Sequence, residues 1–162
     1  MEGKVGKILP LIIAIIAVIA LAGIAIYFGN KNKVTNIEGT LEELMDKMYA
    51  TIPEDKMPML QSRRFTMEEQ AMFLGNESNI EFSEAIVSEP MISSIPHSVV
   101  LIRTQEGSDV ETIKQSITNT VDPRKWICVE AENVSVLSKG NLIALIMVSE
   151  HSDTIVNNFN NM

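Results

Sequence analysis

The fold is decided by residues 134–148, which read VSVLSKGNLIALIMV. Val134–Leu137 is a short strand-like piece, and Leu142–Val148 is the longest apolar run within residues 38–162. The four residues between them, Ser138 to Asn141, have the composition of a tight turn. The pattern predicts an antiparallel hairpin whose second strand, apolar throughout, lies in the middle of a sheet.

Further strands are predicted on both sides of this hairpin in the chain. Ser98–Thr104 contains a continuous aliphatic run and is predicted to lie in the middle of the same sheet. Ser83–Met91 precedes it, and another strand is predicted around Met59–Phe65. Trp126–Glu130 is predicted as a strand piece as well, which makes Cys128 a small hydrophobic residue of the core.

Helices are predicted from capping signals and from the spacing of apolar residues. Three starts have the capping-box pattern, in which Ser or Thr is followed three residues later by Glu: Thr40 with Glu43, Thr66 with Glu69, and Ser108 with Glu111. The first helix is predicted from about Leu41 to Thr51, with its apolar residues on one face. The third is predicted to end near Asn119, and a last amphipathic helix starts after Ser152.

The predicted elements define a fold class. Their order is helix, strand, helix, strand, strand, helix, strand, strand, helix. Hairpins interspersed with single helices favour an α+β domain with a mainly antiparallel sheet and helices packed on one of its faces. Residues 38–162, about 125 in number, are enough to form one such core.

A second apolar segment, ILPLIIAIIAVIALAGIAIYF at residues 8–28, contains no charged side chain. At about 1.5 Å per residue it makes a helix roughly 31 Å long, which matches the hydrocarbon core of a bilayer. The run is longer than the apolar core of a signal peptide and lacks a small-residue cleavage site, so it predicts an uncleaved anchor. The predicted organisation is a tail at 1–7, a transmembrane helix at 8–28, a linker at 29–37 and a soluble domain at 38–162.

The lysines that flank this helix do not fix its orientation, because Lys4 and Lys7 on one side are balanced by Lys31 and Lys33 on the other. A short N-terminal tail followed by a long C-terminal domain is typical of a signal anchor whose N-terminus is cytoplasmic. We therefore predict a single-pass protein of the cell membrane. Its residues 8–28 contact the lipid bilayer, and its domain is extracytoplasmic.

The composition excludes several classes of protein. The 162-residue chain is 46% hydrophobic and has a net charge of −8. Residues 29–162 hold 11 of the 13 basic and 20 of the 21 acidic residues, which gives them a net charge of −9. An acidic surface repels nucleic acid, so no nucleic-acid partner is expected. The single cysteine excludes an intramolecular disulfide.

Two adjacent basic pairs stand out in the acidic domain, Arg63-Arg64 and Arg124-Lys125, and Trp126 follows the second pair. In the interpretation without a function, the four basic residues are ordinary solvated surface charges and the tryptophan belongs to the core. The functional alternative is a binding site in which the four cations contact an acidic partner or wall polymer. Trp126 would then be an aromatic anchor at a protein interface.

The sequence contains no recognisable catalytic or metal-binding motif. His97, His151 and Cys128 are too far apart in the chain for a zinc pattern, and no glycine-rich phosphate loop is present. Met57 and Met59 are of the residue type that binds copper(I), but methionine more commonly fills gaps in a core. Core positions are predicted for Met45, Met48, Met72 and Met147. We predict no metal, no cofactor and no enzymatic activity.

Three segments resemble a known family: residues 88–103 (SEPMISSIPHSVVLIR), 121–129 (VDPRKWICV) and 141–147 (NLIALIM). They are similar to an uncharacterised family of membrane-anchored envelope proteins of Gram-positive bacteria, domain of unknown function 4358. The resemblance extends over most of the soluble domain and implies a single α+β domain tethered by an N-terminal lipid or helix. This chain lacks a lipid-bearing cysteine near its N-terminus, and the family offers no catalytic residues to carry over.

The anchor, the single acidic domain and the lack of a catalytic motif together indicate an extracytoplasmic accessory or binding domain. Its partner would be another protein or a component of the cell envelope, and the sequence does not define a small-molecule ligand. One alternative is a structural subunit of a membrane complex that packs through the small residues Ala14, Ala17, Ala20 and Gly23. Another is an enzyme whose site, such as Cys128 with a histidine, forms only in the fold.

Overall fold

The computed structural model divides the chain into two compact units, Met1–Val34 and Thr35–Met162. It describes residues 36–92, 94–126 and 128–162, which all belong to the second unit. This unit is an α+β domain with a five-stranded sheet, as predicted from the sequence.

The predicted tail at 1–7, the predicted transmembrane helix at 8–28 and most of the predicted linker at 29–37 lie outside the described residues. The stripe of small residues from Ala14 to Gly23 lies outside them as well. Among the residues that are described, no helix has both the length and the apolar character needed to cross a membrane.

The domain contains four α-helices and five strands in the described residues, in the predicted order. They are α1 Leu41–Tyr49, β1 Leu60–Arg64, α2 Gln70–Leu74, β2 Glu84–Pro90, β3 His97–Arg103, α3 Val110–Thr120, β4 Asn133–Lys139, β5 Leu142–Val148 and α4 Ser152–Asn160. Short 3₁₀ turns at Glu54–Lys56 and Met67–Glu69 precede β1 and α2.

The sheet has the strand order β1-β2-β3-β5-β4, and each of its pairings is antiparallel. The hairpin predicted at 134–148 is confirmed, because β4 and β5 pair with Lys139 opposite Leu142 and Gly140 adopts a positive φ in the turn. The predicted central position of the two aliphatic runs is also confirmed. β3 pairs with β5 along seven residues and has β2 on its other side.

Helices cover both faces of the sheet, so the predicted one-sided arrangement is wrong. On one face, α1 and α4 pack on a core that includes Val99, Leu101, Ala144 and Ile146. The alternate residues of β3 and β5 point to the other face and are equally buried. There, Ser138 of β4 donates a hydrogen bond of 2.8 Å to Glu111 of α3. A strand that is apolar at every position needs cover on both sides, and α2 and α3 supply the second layer.

Two local predictions are corrected by the structure. The helix α3 starts after Asp109, whose side chain accepts a hydrogen bond from the Thr112 amide, and Ser108 is not its cap. The described residues of 126–130 form no strand, and Cys128 is exposed with a φ of 66°. A left-handed backbone cannot continue an extended strand, so the prediction of Cys128 as a core residue is wrong.

Candidate interaction surface

The two arginines of the first basic pair point to opposite faces of the sheet, because they are adjacent on the edge strand β1. Arg64 donates two hydrogen bonds, of 2.7 and 2.8 Å, to Glu42 of α1 and one of 2.7 Å to Glu84 of β2. These bonds raise the pKa of Arg64, and the hydrogen bonds from Arg64 lower the pKa of Glu42 to about 2. Arg64 therefore ties β1 to its neighbours and lies away from the other predicted site residues.

Two of the remaining predicted site residues, Arg63 and Lys125, lie over the ring of Phe73. The guanidinium of Arg63 is 4.9 Å from the ring centroid, and the ammonium of Lys125 is 5.4 Å from it. Lys125 is also 5.3 Å from the ring of Trp126, which is half-buried. The structure thus brings Arg63 close to the second basic pair, Arg124-Lys125, although 60 residues lie between Arg63 and Arg124 in the chain.

Lys125 is mainly a structural cation. Its ammonium lies 2.5 Å from a carboxylate oxygen of Glu89 and donates a hydrogen bond of 3.0 Å to Ser98. Desolvation by burial lowers the pKa of Lys125, and the Glu89 carboxylate opposes that shift. The pair stands on the sheet face that α2 and α3 cover, where it joins the 121–131 loop to β2 and β3.

The other two cations near Phe73 have carboxylate neighbours as well. Arg63 donates to Glu69 at 2.9 Å, and exposed Arg124 lies 3.9 Å from Asp122. A pocket of about 310 Å³ opens beside them, and its lining includes Arg124, Lys125 and Phe73. Because each cation has an acidic neighbour, this region is not a strongly positive patch. Its use as a binding site stays a prediction.

Replacing Lys125 with methionine tests the structural role of that residue. We expect Lys125→Met to destabilise the domain by about 1–2 kcal/mol, because it leaves the Glu89 carboxylate half-buried without a counter-ion. Arg124→Met is the matched control and should change stability by less than about 0.5 kcal/mol. Urea unfolding of the full chain in mild non-ionic detergent, followed by the fluorescence of the single tryptophan, measures both. Equal stability of the two variants would contradict the structural role.

A different surface, which the sequence did not reveal, presents large apolar side chains to solvent. Met59, Met91, Ile92 and Ile95 are all exposed, the first three by 75%, 64% and 65%. They lie at one end of the sheet, where β1 begins and β2 ends, and the Met91 amide donates to the Met59 carbonyl at 3.1 Å. We name these four residues the apolar tip. Clustered exposure of this kind is typical of interaction sites.

A groove of about 630 Å³ adjoins the apolar tip. It is lined by Tyr49, Ile52, Glu54, Met57, Pro58, Met59 and Leu60, and we name it the tip groove. Most of its lining comes from the connection between α1 and β1, which contains two prolines. Proline cannot continue the helix α1 and stiffens the connection, so this wall of the groove is held in a defined conformation.

Two histidines, buried His97 and partly exposed His151, contact the elements at this end of the domain. The Tyr49 hydroxyl and Nε2 of His97 are 3.1 Å apart and share a hydrogen bond. Burial raises the pKa of Tyr49 and lowers the pKa of His97 to about 4, so both groups are neutral at pH 7. His151 adopts a φ of 60° at the start of α4, and its Nε2 lies 3.1 Å from the Lys56 carbonyl. These contacts attach the wall of the tip groove to β3 and α4.

Sequence reasoning missed the apolar tip because it assigned methionines to the core. Met45, Met48 and Met147 are buried as predicted, whereas Met72 is 64% exposed and its core prediction is wrong. A signal was present in the prolines. Met57 and Met59 flank Pro58, and Met91 follows Pro90. Because proline interrupts helices and the hydrogen bonding of strands, these methionines were candidates for loops or strand ends.

The described residues contain no group of three or more His, Cys, Asp and Glu side chains arranged to hold a metal ion. No family model, curated protein or solved structure matches this chain significantly. The resemblance of residues 88–103, 121–129 and 141–147 to the envelope family therefore stays a prediction.

Proposed function

We propose that the protein is a membrane-anchored accessory module that binds another protein of the cell envelope through the apolar tip. The observation that carries this proposal is the exposure of four large apolar side chains beside an apolar groove. Burying one such side chain in an interface contributes roughly 1.5–3 kcal/mol, so a partner that covers the tip gains substantial free energy.

The tip has the physical character of a docking surface. Met59 and Met91 are flexible and polarizable, which suits them to a partner surface of irregular shape. They extend from β1 and β2, whose residues Leu60 and Pro90 are paired in the sheet, so the anchors stand on a rigid base. A rigid base with adaptable side chains lowers the entropic cost of binding.

The first described residues of the domain lie at the end of the sheet opposite the apolar tip. The Ile37 amide donates to the Asn141 side chain at 2.9 Å, and Arg103 donates to the Ile37 and Gly39 carbonyls at 2.7 Å. Arg103 is the last residue of β3, whereas the apolar tip lies near its first residue, His97.

Site-specific photo-crosslinking tests the proposed docking. We expect a photoreactive phenylalanine in place of Met59 to give discrete crosslinked species in the cells that produce the protein. The same probe at Met72, which is 64% exposed on α2, is the control and should give none of these species. Ile92→Glu should abolish the Met59 crosslinks, since it places a charge in the buried interface. Identical crosslinks from both positions, or none from Met59, would refute the docking role.

The membrane arrangement is tested in the same cells. The proposal places residues 8–28 in the bilayer and the domain outside the cytoplasm. A protease added to intact cells should then digest the domain, and a chain without residues 8–28 should leave the membrane fraction. A domain that stays fully protected in intact cells but is cleaved after lysis would show the opposite orientation.

A further inference from the structure

The charged residues around the tip groove are predominantly acidic. Glu54 lines the groove, and Asp55 follows it with its side chain 75% exposed. The nearest cation in sequence, Lys56, is also exposed and only 3.9 Å from Asp55, which is a weak contact. The wall of the groove therefore combines an apolar surface with two carboxylates and a single lysine.

The contact of His151 with Lys56 brings more acidic residues to the same side. Glu150 and Asp153 lie within two residues of His151 and are both exposed. No ion pair among the described residues involves Glu54, Glu150 or Asp153. We name Glu54, Asp55, Glu150 and Asp153 the acidic rim.

Lys56 offsets only one of the four carboxylates of the rim, and several other basic residues of the described domain are paired elsewhere. Five basic residues each lie within 2.9 Å of a carboxylate that is not in the rim: Arg63, Arg64, Arg103, Lys114 and Lys125. The rim therefore has four carboxylates against one nearby lysine, and its net negative charge would be complemented by basic groups of another molecule. Charge of this kind, next to an apolar groove, selects partners by complementarity.

We infer that the apolar tip and tip groove bind a protein segment that carries large apolar side chains with lysine or arginine beside them. This inference rests on the proposed docking function and specifies the chemistry of the partner. The apolar side chains would fill the groove, whose volume of about 630 Å³ accommodates a few of them. The basic residues would face the acidic rim.

The same charges argue against two other occupants. An anionic lipid surface would be repelled by the acidic rim, and zwitterionic lipid would leave the rim without a counter-charge. A second copy of the chain would place its own acidic rim against this one across a two-fold axis, where like charges oppose association. A basic amphipathic segment of another protein satisfies both the apolar and the charged parts of the surface.

Two peptides of matched hydrophobicity test the inference. Both have the same leucine, methionine and phenylalanine positions, and one has lysine where the other has glutamate. The full chain, reconstituted in zwitterionic lipid nanodiscs with ¹³C-labelled methionine methyl groups, is titrated with each. We expect the lysine peptide to shift the signals of Met57, Met59 and Met91 and to bind at least five-fold more tightly than the glutamate peptide.

Matched variants separate the acidic rim from the general acidity of the domain. Glu54→Gln with Asp55→Asn should reduce the preference for the lysine peptide at least three-fold. Glu77→Gln with Glu106→Gln removes the same charge from exposed positions in other loops and should leave the preference unchanged. Met59→Glu should weaken binding of both peptides by removing an apolar anchor. A preference that falls equally in the two double variants would overturn the inference.

The remaining outcomes are also decisive. Equal binding of the two peptides at the tip would overturn the basic partner while leaving the docking function intact. Broadening of the Met59 and Met91 signals by spin-labelled lipid would show that the tip contacts the membrane. That result would also overturn the inference of a basic protein partner. Failure of the docking function is distinguished from all of these by the absence of Met59 crosslinks in cells.

Discussion

Replacing Gly75 with alanine is expected to destabilise the domain by about 3 kcal/mol. Gly75 follows α2 with φ 105° and ψ 150°, a conformation that is essentially restricted to glycine. A Cβ atom added there would also lie far inside van der Waals contact of the Thr120 backbone carbonyl at the end of α3. The two helix ends are held together by a hydrogen bond of 2.8 Å from the Thr120 hydroxyl to the Leu74 carbonyl, so they cannot separate freely.

Gly107 supplies the matched control for this prediction. It also has a positive φ, of 81°, but a Cβ atom added there would meet nothing within 4 Å. Gly107→Ala should therefore cost only the backbone strain, about 1–2 kcal/mol. Urea unfolding of the full chain in detergent gives both values. If the two variants were equally stable, the close packing of Gly75 against α3 would be disproved.

The sheet was predictable because its signals are local. The aliphatic runs of β3 and β5 and the turn around Gly140 each lie within a few residues, and they specify a hairpin and two inner strands. The cover on both faces was also implied by β5, because a strand without polar alternation has no face for solvent. The prediction of helices on a single face was wrong because the strand patterns do not specify which face each helix covers. That depends on how α2 and α3 pack against the sheet.

The cap of the first helix was predicted correctly because a single capping residue, Thr40, precedes it. Thr40 accepts from the Glu43 amide and Glu43 accepts from the Thr40 amide, as the capping box requires. Before α3, Ser108 and Asp109 are adjacent and both are good caps, so the sequence pattern does not choose between them. In the structure, the hydrogen bond from the Thr112 amide selects Asp109.

The candidate sites depend on contacts that are distant in sequence. Lys125 is 36 residues from Glu89, and no local pattern indicates that they form an ion pair. Met59 and Met91 come together only because β1 and β2 pair in a particular register. The opposite directions of Arg63 and Arg64, by contrast, follow directly from the alternation of side chains along a strand.

The stability of the domain is expected to fall as the pH decreases from 7 to 5, by about 2 kcal/mol, because of His97. Burial lowers the pKa of His97 from 6.5 to about 4 in the folded domain, whereas the unfolded chain has the ordinary value. Between these two pKa values the unfolded state binds more protons, so acid favours unfolding. The contribution is complete above pH 6.5 and is lost progressively, to a total of about 3 kcal/mol, as the pH falls to 4.

The groups around His97 determine how this dependence is measured. The Tyr49 hydroxyl of α1 contacts Nε2 of His97. A positive charge on His97 would be disfavoured by His151 and favoured by Glu89 of β2. Glu42, whose pKa is lowered to about 2, loses its pairing with Arg64 only in stronger acid, so it contributes little between pH 7 and 5. The slope of stability against pH in this window therefore reports mainly on His97.

Two glutamine variants test which histidine causes the pH dependence of stability between pH 7 and 5. His97→Gln retains a polar group beside the Tyr49 hydroxyl but cannot titrate, so it should remove most of the pH dependence between 7 and 5. His151→Gln should retain it. Urea unfolding of the full chain at several pH values, read by tryptophan fluorescence, provides the comparison. A slope that persists in His97→Gln would show that His97 is not the titrating group. If His97 is responsible, acid destabilises the folded domain by charging an imidazole that is buried beside Tyr49, a residue that lines the tip groove.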